Sequence, residues 1–234
     1  MDYGFRELDE TTGGIKPGEL VVIGGRPASG KTALALNITA NEERRIKRDF
    51  PDKENQPLIS FFSTEMNAMK ILAGLPDEEE DGKLPKIISH PILMRFQKYT
   101  ELTAEQIRTD VNQKLEKRKL VLILIDCFQS LEGEPGETAL QLKKMAEETG
   151  LPVIVISRTA CDIEKGAKGI PLAAYFRDAE KLGEIADTVL LTNQDDNDKI
   201  LSRFPISVAR SGSGKSGTVV LDFDDSTSRL SDRD

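Results

Sequence analysis

The chain has 234 residues, 38% of them apolar and 31% charged, with a net charge of −8. That length suits one large domain, or two small ones, and allows a core that needs no disulfide or metal staples. No apolar run approaches the ~20 residues of a membrane span, the polar start MDYGFRELDE is not a signal peptide, and the acid excess argues against tight nucleic-acid binding by bulk charge.

Residues 19–24 (ELVVIG) form a short apolar run ending in glycines, the pattern of a buried parallel strand. A helix is expected over 31–48, closing on Arg44, Arg45, Lys47 and Arg48, cations that suit a helix C-terminus. LISFFS (58–63) reads as a second strand and 66–73 as a helix, followed by an acidic, turn-rich loop over 76–86 and a strand over 92–96. Thr103 is a candidate N-cap for a helix running to about 117. LVLILI (120–125) is the most apolar stretch and runs directly into Asp126. A helix over 138–148, a buried strand over 152–157 (PVIVIS), a glycine-rich charged loop over 161–171, a short helix over 176–185 and a strand over 187–191 follow. The tail changes character, with strands over 206–210, 217–223 and 229–230 joined by turns, which predicts antiparallel pairing there. Strands alternating with helices indicate an α/β fold with a mainly parallel sheet, expected as one domain over 1–234. Cys127 and Cys161 lack a CxxC context and read as reduced thiols of a cytoplasmic protein. The single histidine, His90, has no partner at zinc-ligand spacing.

The chemistry begins after the first strand. Gly25, Arg26, Pro27, Ala28, Ser29, Gly30, Lys31 and Thr32 fit G-x-x-x-x-G-K-[ST], with a strand directly before and a helix directly after. Glycines at those places let successive backbone N–H groups face phosphate oxygens, and the helix adds the positive end of its dipole. Lys31 reaches the β- and γ-phosphates and the Thr32 hydroxyl ligates Mg²⁺, so the expected ligand is a nucleoside triphosphate, ATP with Mg²⁺. Asp126, at the end of the most apolar strand, is the expected second metal residue. Glu65 follows the LISFFS strand, where a carboxylate either orients the attacking water or simply starts a helix. Ser157 and Arg158 end the PVIVIS strand, where a polar group either senses the γ-phosphate or contacts a bound polymer, or is an ordinary surface arginine. The segment 210–217 (RSGSGKSG) holds a GKS, but its first glycine would fall at Ala209 and strands flank it on both sides, so it reads as a hairpin carrying Arg210 and Lys215.

Taken together, these residues resemble the C-terminal motor domain of DnaB-type hexameric replicative helicases, within the wider group of RecA/KaiC-like ATPases. The similarity runs through YGFRELD (3–9), TGGIKPGEL (12–20), GRP to KTALALN (25–37), FFSTEM (61–66), the helix opened by Leu102 and Thr103, IDCFQ (125–129), Phe176-Arg177-Asp178 and IAD (185–187), and it weakens toward the C-terminus. The resemblance implies a RecA-like core, Glu65 as the catalytic glutamate, and Arg210 or Lys215 acting on the γ-phosphate of a neighbouring subunit in a ring. It further implies that Arg158, Arg177 and the loops around them meet single-stranded DNA. The sequence departs from the family at Arg158, where glutamine is usual, and at Arg210 and Gly212, where a lysine and an arginine are usual. The loop after Asp126 is short and acidic, with Glu132, Glu134 and Glu137. The family's N-terminal domain and linker helix have no counterpart in the sequence, so weak activity and a mainly monomeric state are expected of the chain alone. A regulatory or loading ATPase with slow turnover, or a nucleotide-binding module without motor activity, is the alternative to a DNA-translocating motor.

Overall fold

The computed structural model describes residues 1–63, 102–159, 176, 179–192, 202–224 and 226–233, and the backbone of 92–96. The helix read at 66–73, the loops read at 76–86 and 161–171, and the residues Glu65, Arg177, His90 and Cys161 lie outside the described residues.

The apolar runs become the strands of one sheet. They are β1 (Leu20–Gly25), β2 (Leu58–Ser63), β3 (Ile92–Phe96), β5 (Leu120–Asp126), β7 (Val153–Arg158), β8 (Thr188–Thr192), β9 (Arg203–Arg210), β10 (Gly217–Asp224) and β11 (Arg229–Ser231), while the short β4 (Leu102–Thr103) and β6 (Leu131–Glu132) pair separately. The order across the sheet is β11-β10-β9-β8-β1-β7-β5-β2-β3. From β8 to β3 every neighbouring pair is parallel, whereas β8–β9, β9–β10 and β10–β11 are antiparallel, as the turn-rich tail predicts. The chain leaves β1 for the far side of the sheet and returns to pair with it on both flanks through β7 and β8. The crevice beyond the carboxyl ends of such strands, where the order reverses, is where open α/β sheets bind ligands.

Alternation along the buried strands divides the core between two faces. Val21, Ile23, Leu122, Leu124, Ile154 and Ile156 pack with Leu34 and Ile38 of α2 (Lys31–Asp49). Leu20, Val22, Ile123, Ile125, Val153 and Val155 pack with α3 (Ala104–Leu115), α4 (Pro135–Thr149) and α5 (Glu180–Ile185).

Local chemistry sets the helix ends. Thr103 caps α3, as read, and the structure adds a capping box in which Gln106 returns the bond. Helix α4 starts three residues earlier than the sequence pattern indicates, at Pro135, because the Glu134 carboxylate accepts the N–H groups of Gly136 and Glu137 at 2.9 and 2.6 Å. Those two bonds hold the Glu134 carboxyl below its ordinary pKa. Helix α5 is shorter than the 176–185 pattern. Phe176 is buried against Gly24, where an added Cβ would lie 2.7 Å from its ring, and it serves packing rather than helix. The unforeseen α1 (Arg6–Thr12) carries one buried apolar side chain, Leu8, too few for a periodic signal. It is fixed instead by Asp9, whose carboxylate accepts the N–H groups of Tyr3, Gly4 and Phe5, and by Gly13 in the left-handed conformation at its end.

The β9–β10 hairpin runs away from the carboxyl edge of the parallel strands. Thr192 at the end of β8 pairs with Ile206, whereas Val189 near its start pairs with Arg210. The hairpin tip therefore sits at the amino edge, where Ser213 donates its hydroxyl to the Thr11 carbonyl at 2.9 Å. Lys215 is exposed there. Arg210 is partly buried, and its Nη1 donates to the carbonyls of Gly183, Glu184 and Ala186 at 3.0, 2.8 and 3.0 Å, closing the C-terminus of α5.

Two outcomes test this packing. Leu124 is fully buried on an interior strand of the sheet, and Leu124→Ala is expected to cost about 2–5 kcal/mol, read as a lower urea midpoint at unchanged slope. Arg210→Ala leaves three helix-end carbonyls without their cation and is expected to cost about 1–3 kcal/mol in the same titration.

Candidate functional site

The carboxyl ends of β1, β5, β7 and β8 converge on one sheet edge. Gly25 pairs with Arg158 on one side and with Thr192 on the other, and Asp126 pairs with both Ser63 and Ile156. The residues read from the phosphate-loop motif occupy the turn between β1 and α2. Arg26, Pro27 and Ala28 are exposed, Ser29 is buried, and Gly30, Lys31 and Thr32 are half-buried.

Both motif glycines are required by contact. A Cβ on Gly25 would collide with the hydroxyls of Ser29 and Thr192, and a Cβ on Gly30 would enter the ring of Phe204. Gly30 also adopts φ 87° as the N-cap of α2, a left-handed conformation that glycine takes without strain. Because the cap has no side chain, none competes for the first N–H groups of α2, which an α-helix leaves without internal partners. Those groups, with the helix dipole, make a receptor for anionic oxygen.

Lys31 Nζ donates to the Arg26 carbonyl at 2.7 Å, so its ammonium is folded over the mouth of the loop. The Thr32 hydroxyl donates to Asp126 Oδ2 at 3.2 Å. Asp126 is 3% exposed, and its peptide bond to Cys127 is cis. A buried carboxylate facing a hydroxyl at the start of a phosphate loop offers two hard oxygen ligands, the donor set Mg²⁺ takes alongside phosphate oxygens. The close-packed glycines and this oxygen pair both fit a magnesium-bound triphosphate.

The turn after Asp126 is tied to the next strand. Gln129 Nε2 donates to Ser157 Oγ at 2.9 Å and to the Arg158 carbonyl at 3.3 Å, and Gln129 Oε1 accepts the Arg158 N–H at 3.0 Å. The Arg158 side chain is exposed at the same edge. Cys127 carries a buried thiol whose Sγ lies 3.7 Å from Ser130 Oγ. Lys31, Thr32, Asp126 and Arg158 are thus gathered on one edge, while Arg210 and Lys215 lie at the opposite one. Sequence reading gave no role to Gln129, Thr192 or Phe204. Glutamine at that place had its signal in the IDCFQ stretch. Thr192 and Phe204 gave none, since their contacts with the loop follow from the pairing of β8 with β1 and of β9 with β8.

Comparison with known proteins identifies the family and the fold. The sequence model of the DnaB-like helicase C terminal domain matches residues 1–232. A probable replicative DNA helicase of Trieres chinensis is 27% identical over 96% of the chain and 55% of its own length. The replicative DNA helicase DnaC of Bacillus subtilis is 28% identical over 94% of the chain and 54% of its own length. The chain therefore spans about half the length of these curated relatives. Among solved structures, one described as an ATPase domain superposes with a TM-score of 0.81 at 25% identity, covering 99% of this chain and 90% of that one. A DnaB-like replicative helicase, described with its primase interactions, gives a TM-score of 0.81 at 23% identity, covering 99% of this chain and 63% of that one. The fold is the RecA-like α/β core with an antiparallel C-terminal extension, and the chain belongs to the DnaB-like helicase C-terminal domain family.

Proposed function

We propose that the chain is an ATP-hydrolysing motor domain that couples turnover to movement on single-stranded DNA. The observation that carries this reading is the 3.2 Å contact between Thr32 and Asp126 under a phosphate loop whose glycines tolerate no side chain. In this reading Lys31 leaves the Arg26 carbonyl for the β- and γ-phosphates, while Thr32 and Asp126 hold Mg²⁺. When bound, the ion draws charge from the phosphate oxygens. Glu65 is the general base for the attacking water. It follows β2 by two residues, and β2 ends at Ser63, in register with Asp126. Arg158 and Arg177 act toward the γ-phosphate or the DNA. The Gln129 bonds join the metal-bearing turn to the strand end that carries Arg158.

Arg210 and Lys215 sit at the sheet edge opposite their own phosphate loop, so they act on the nucleotide of an adjacent copy in a ring. A second reading, an ATP-occupancy switch with slow turnover, draws on two observations. The Nη1 of Arg210 is committed to the end of α5, and position 212 is a glycine. A cytoplasmic setting is part of the proposal. Among the described residues no helix is long and apolar enough to cross a membrane.

ATP hydrolysis measured with and without single-stranded DNA, over a range of protein concentrations, separates the readings. The motor reading expects a rate that vanishes in Lys31→Ala, falls about 100-fold or more in Glu65→Gln, rises with DNA and climbs more than linearly with protein. Nucleotide binding with hydrolysis at the Lys31→Ala level, DNA or not, replaces it with the switch. In the same assay Asp126→Asn is expected to lower the apparent affinity for Mg²⁺, seen as a rightward shift in the magnesium titration.

A further inference from the structure

The phosphate loop rests on two residues that the chemistry above does not use. Ser29, inside the loop, is 2% exposed, and Thr192, the last residue of β8, is 3% exposed. Their hydroxyls lie 2.8 Å apart. The Thr192 hydroxyl also reaches the Gly24 carbonyl at 3.4 Å, directly before the loop. One residue after Ser29, the ring of Phe204 fills the space that a side chain on Gly30 would need. The two segments flanking the β8–β9 connection thus support adjacent residues of the loop from below, one by a hydrogen bond and one by shape.

The loop needs such support. Ala28, immediately before Ser29, sits at φ 60°, a left-handed conformation that an L side chain adopts only under strain. Strain of this kind persists where the surroundings over-determine it and relaxes where they do not. Relaxing it would turn the neighbouring peptide groups, the same groups whose N–H bonds must face the phosphates. The bond from Ser29 to Thr192 opposes that turn, because breaking it leaves a hydroxyl buried at the end of β8 with only a long contact to Gly24.

We propose that Thr192 is a positioning residue for nucleotide binding, its hydroxyl holding Ser29 so that the phosphate loop keeps its anion-receiving conformation before the nucleotide arrives. The proposal rests on the reading of residues 25–32 as an ATP phosphate loop. Its consequence is a matter of populations. A ligand that binds one loop conformation loses apparent affinity in proportion to the fraction of molecules lacking it. Loss of the hydroxyl therefore weakens binding and leaves Lys31, Thr32 and Asp126 untouched.

The test is a fluorescence titration of the full chain with N-methylanthraniloyl-ATP and Mg²⁺, alongside a thermal melt without nucleotide. Wild type must bind in a manner lost in Lys31→Ala. Thr192→Val is expected to weaken binding roughly five- to tenfold, the size set by one net hydrogen bond. Thr192→Ser restores it. Ser29→Ala weakens binding to a similar degree, and the Ser29→Ala/Thr192→Val pair is no weaker than the worse single variant. If Thr192→Val and Ser29→Ala both bind within twofold of wild type, the proposal is wrong. A Thr192→Val variant that melts earlier yet binds as tightly as wild type overturns it too, because the hydroxyl then serves the fold alone. If wild type shows no Lys31-dependent binding, the phosphate-loop reading itself fails, and that result is recognisable because it appears before any Thr192 variant is compared.

Discussion

The hydroxyl of Thr32 donating to the carboxylate of Asp126 joins residues 94 positions apart, and the rest of the molecule makes that meeting possible. It requires β1 and β5 to end at the same edge of the sheet, separated by β7. It requires α2 to start within a turn of the end of β1, which only a loop with glycines at 25 and 30 permits. It also requires a carboxylate to be buried. A buried acid is costly unless it is paired with a cation or hydrogen-bonded. A hydroxyl partner meets part of that demand while leaving lone pairs for a metal. The site is thus a polar edge on a sheet whose two packed faces are apolar, and those faces hold it in place.

Much of this was written locally in the chain. Runs such as ELVVIG, LISFFS and PVIVIS are too short and too apolar for anything but buried strands, and their bounds in the structure lie within a residue or so of those read. The N-cap at Thr103 was equally explicit. Features that depend on distant partners were not legible. Helix α1 has no hydrophobic stripe and is held by one carboxylate and one glycine. Phe176 reads as the start of a helix because it is apolar, yet it is apolar to fill the space over Gly24.

The same divide runs through the candidate site. Lys31, Thr32 and Asp126 are readable because the chemistry of phosphate and Mg²⁺ fixes residue type and spacing. Thr192 is not, since its contact with Ser29 spans 163 positions and arises only when β8 pairs with β1. Arg210 shows the same divide from the other side. Sequence offers it as a cation on a glycine-rich hairpin, while the register of β9 against β8 carries its guanidinium to the carbonyls that end α5.

The antiparallel extension has a consequence for symmetry. It places the hairpin tip and the phosphate loop at opposite edges of one sheet, so a tip meets a loop only on another copy, and copies stacked in one orientation meet head-to-tail. A twofold dimer makes the contact only as a reciprocal pair, with the tip of each copy on the loop of the other. An open row of copies always leaves one loop without a tip and one tip without a loop, and these two loose ends satisfy each other only when the row closes on itself. If the tip completes the proposed site, completeness of the last site in such a row is a property of the assembly's geometry rather than of any single chain.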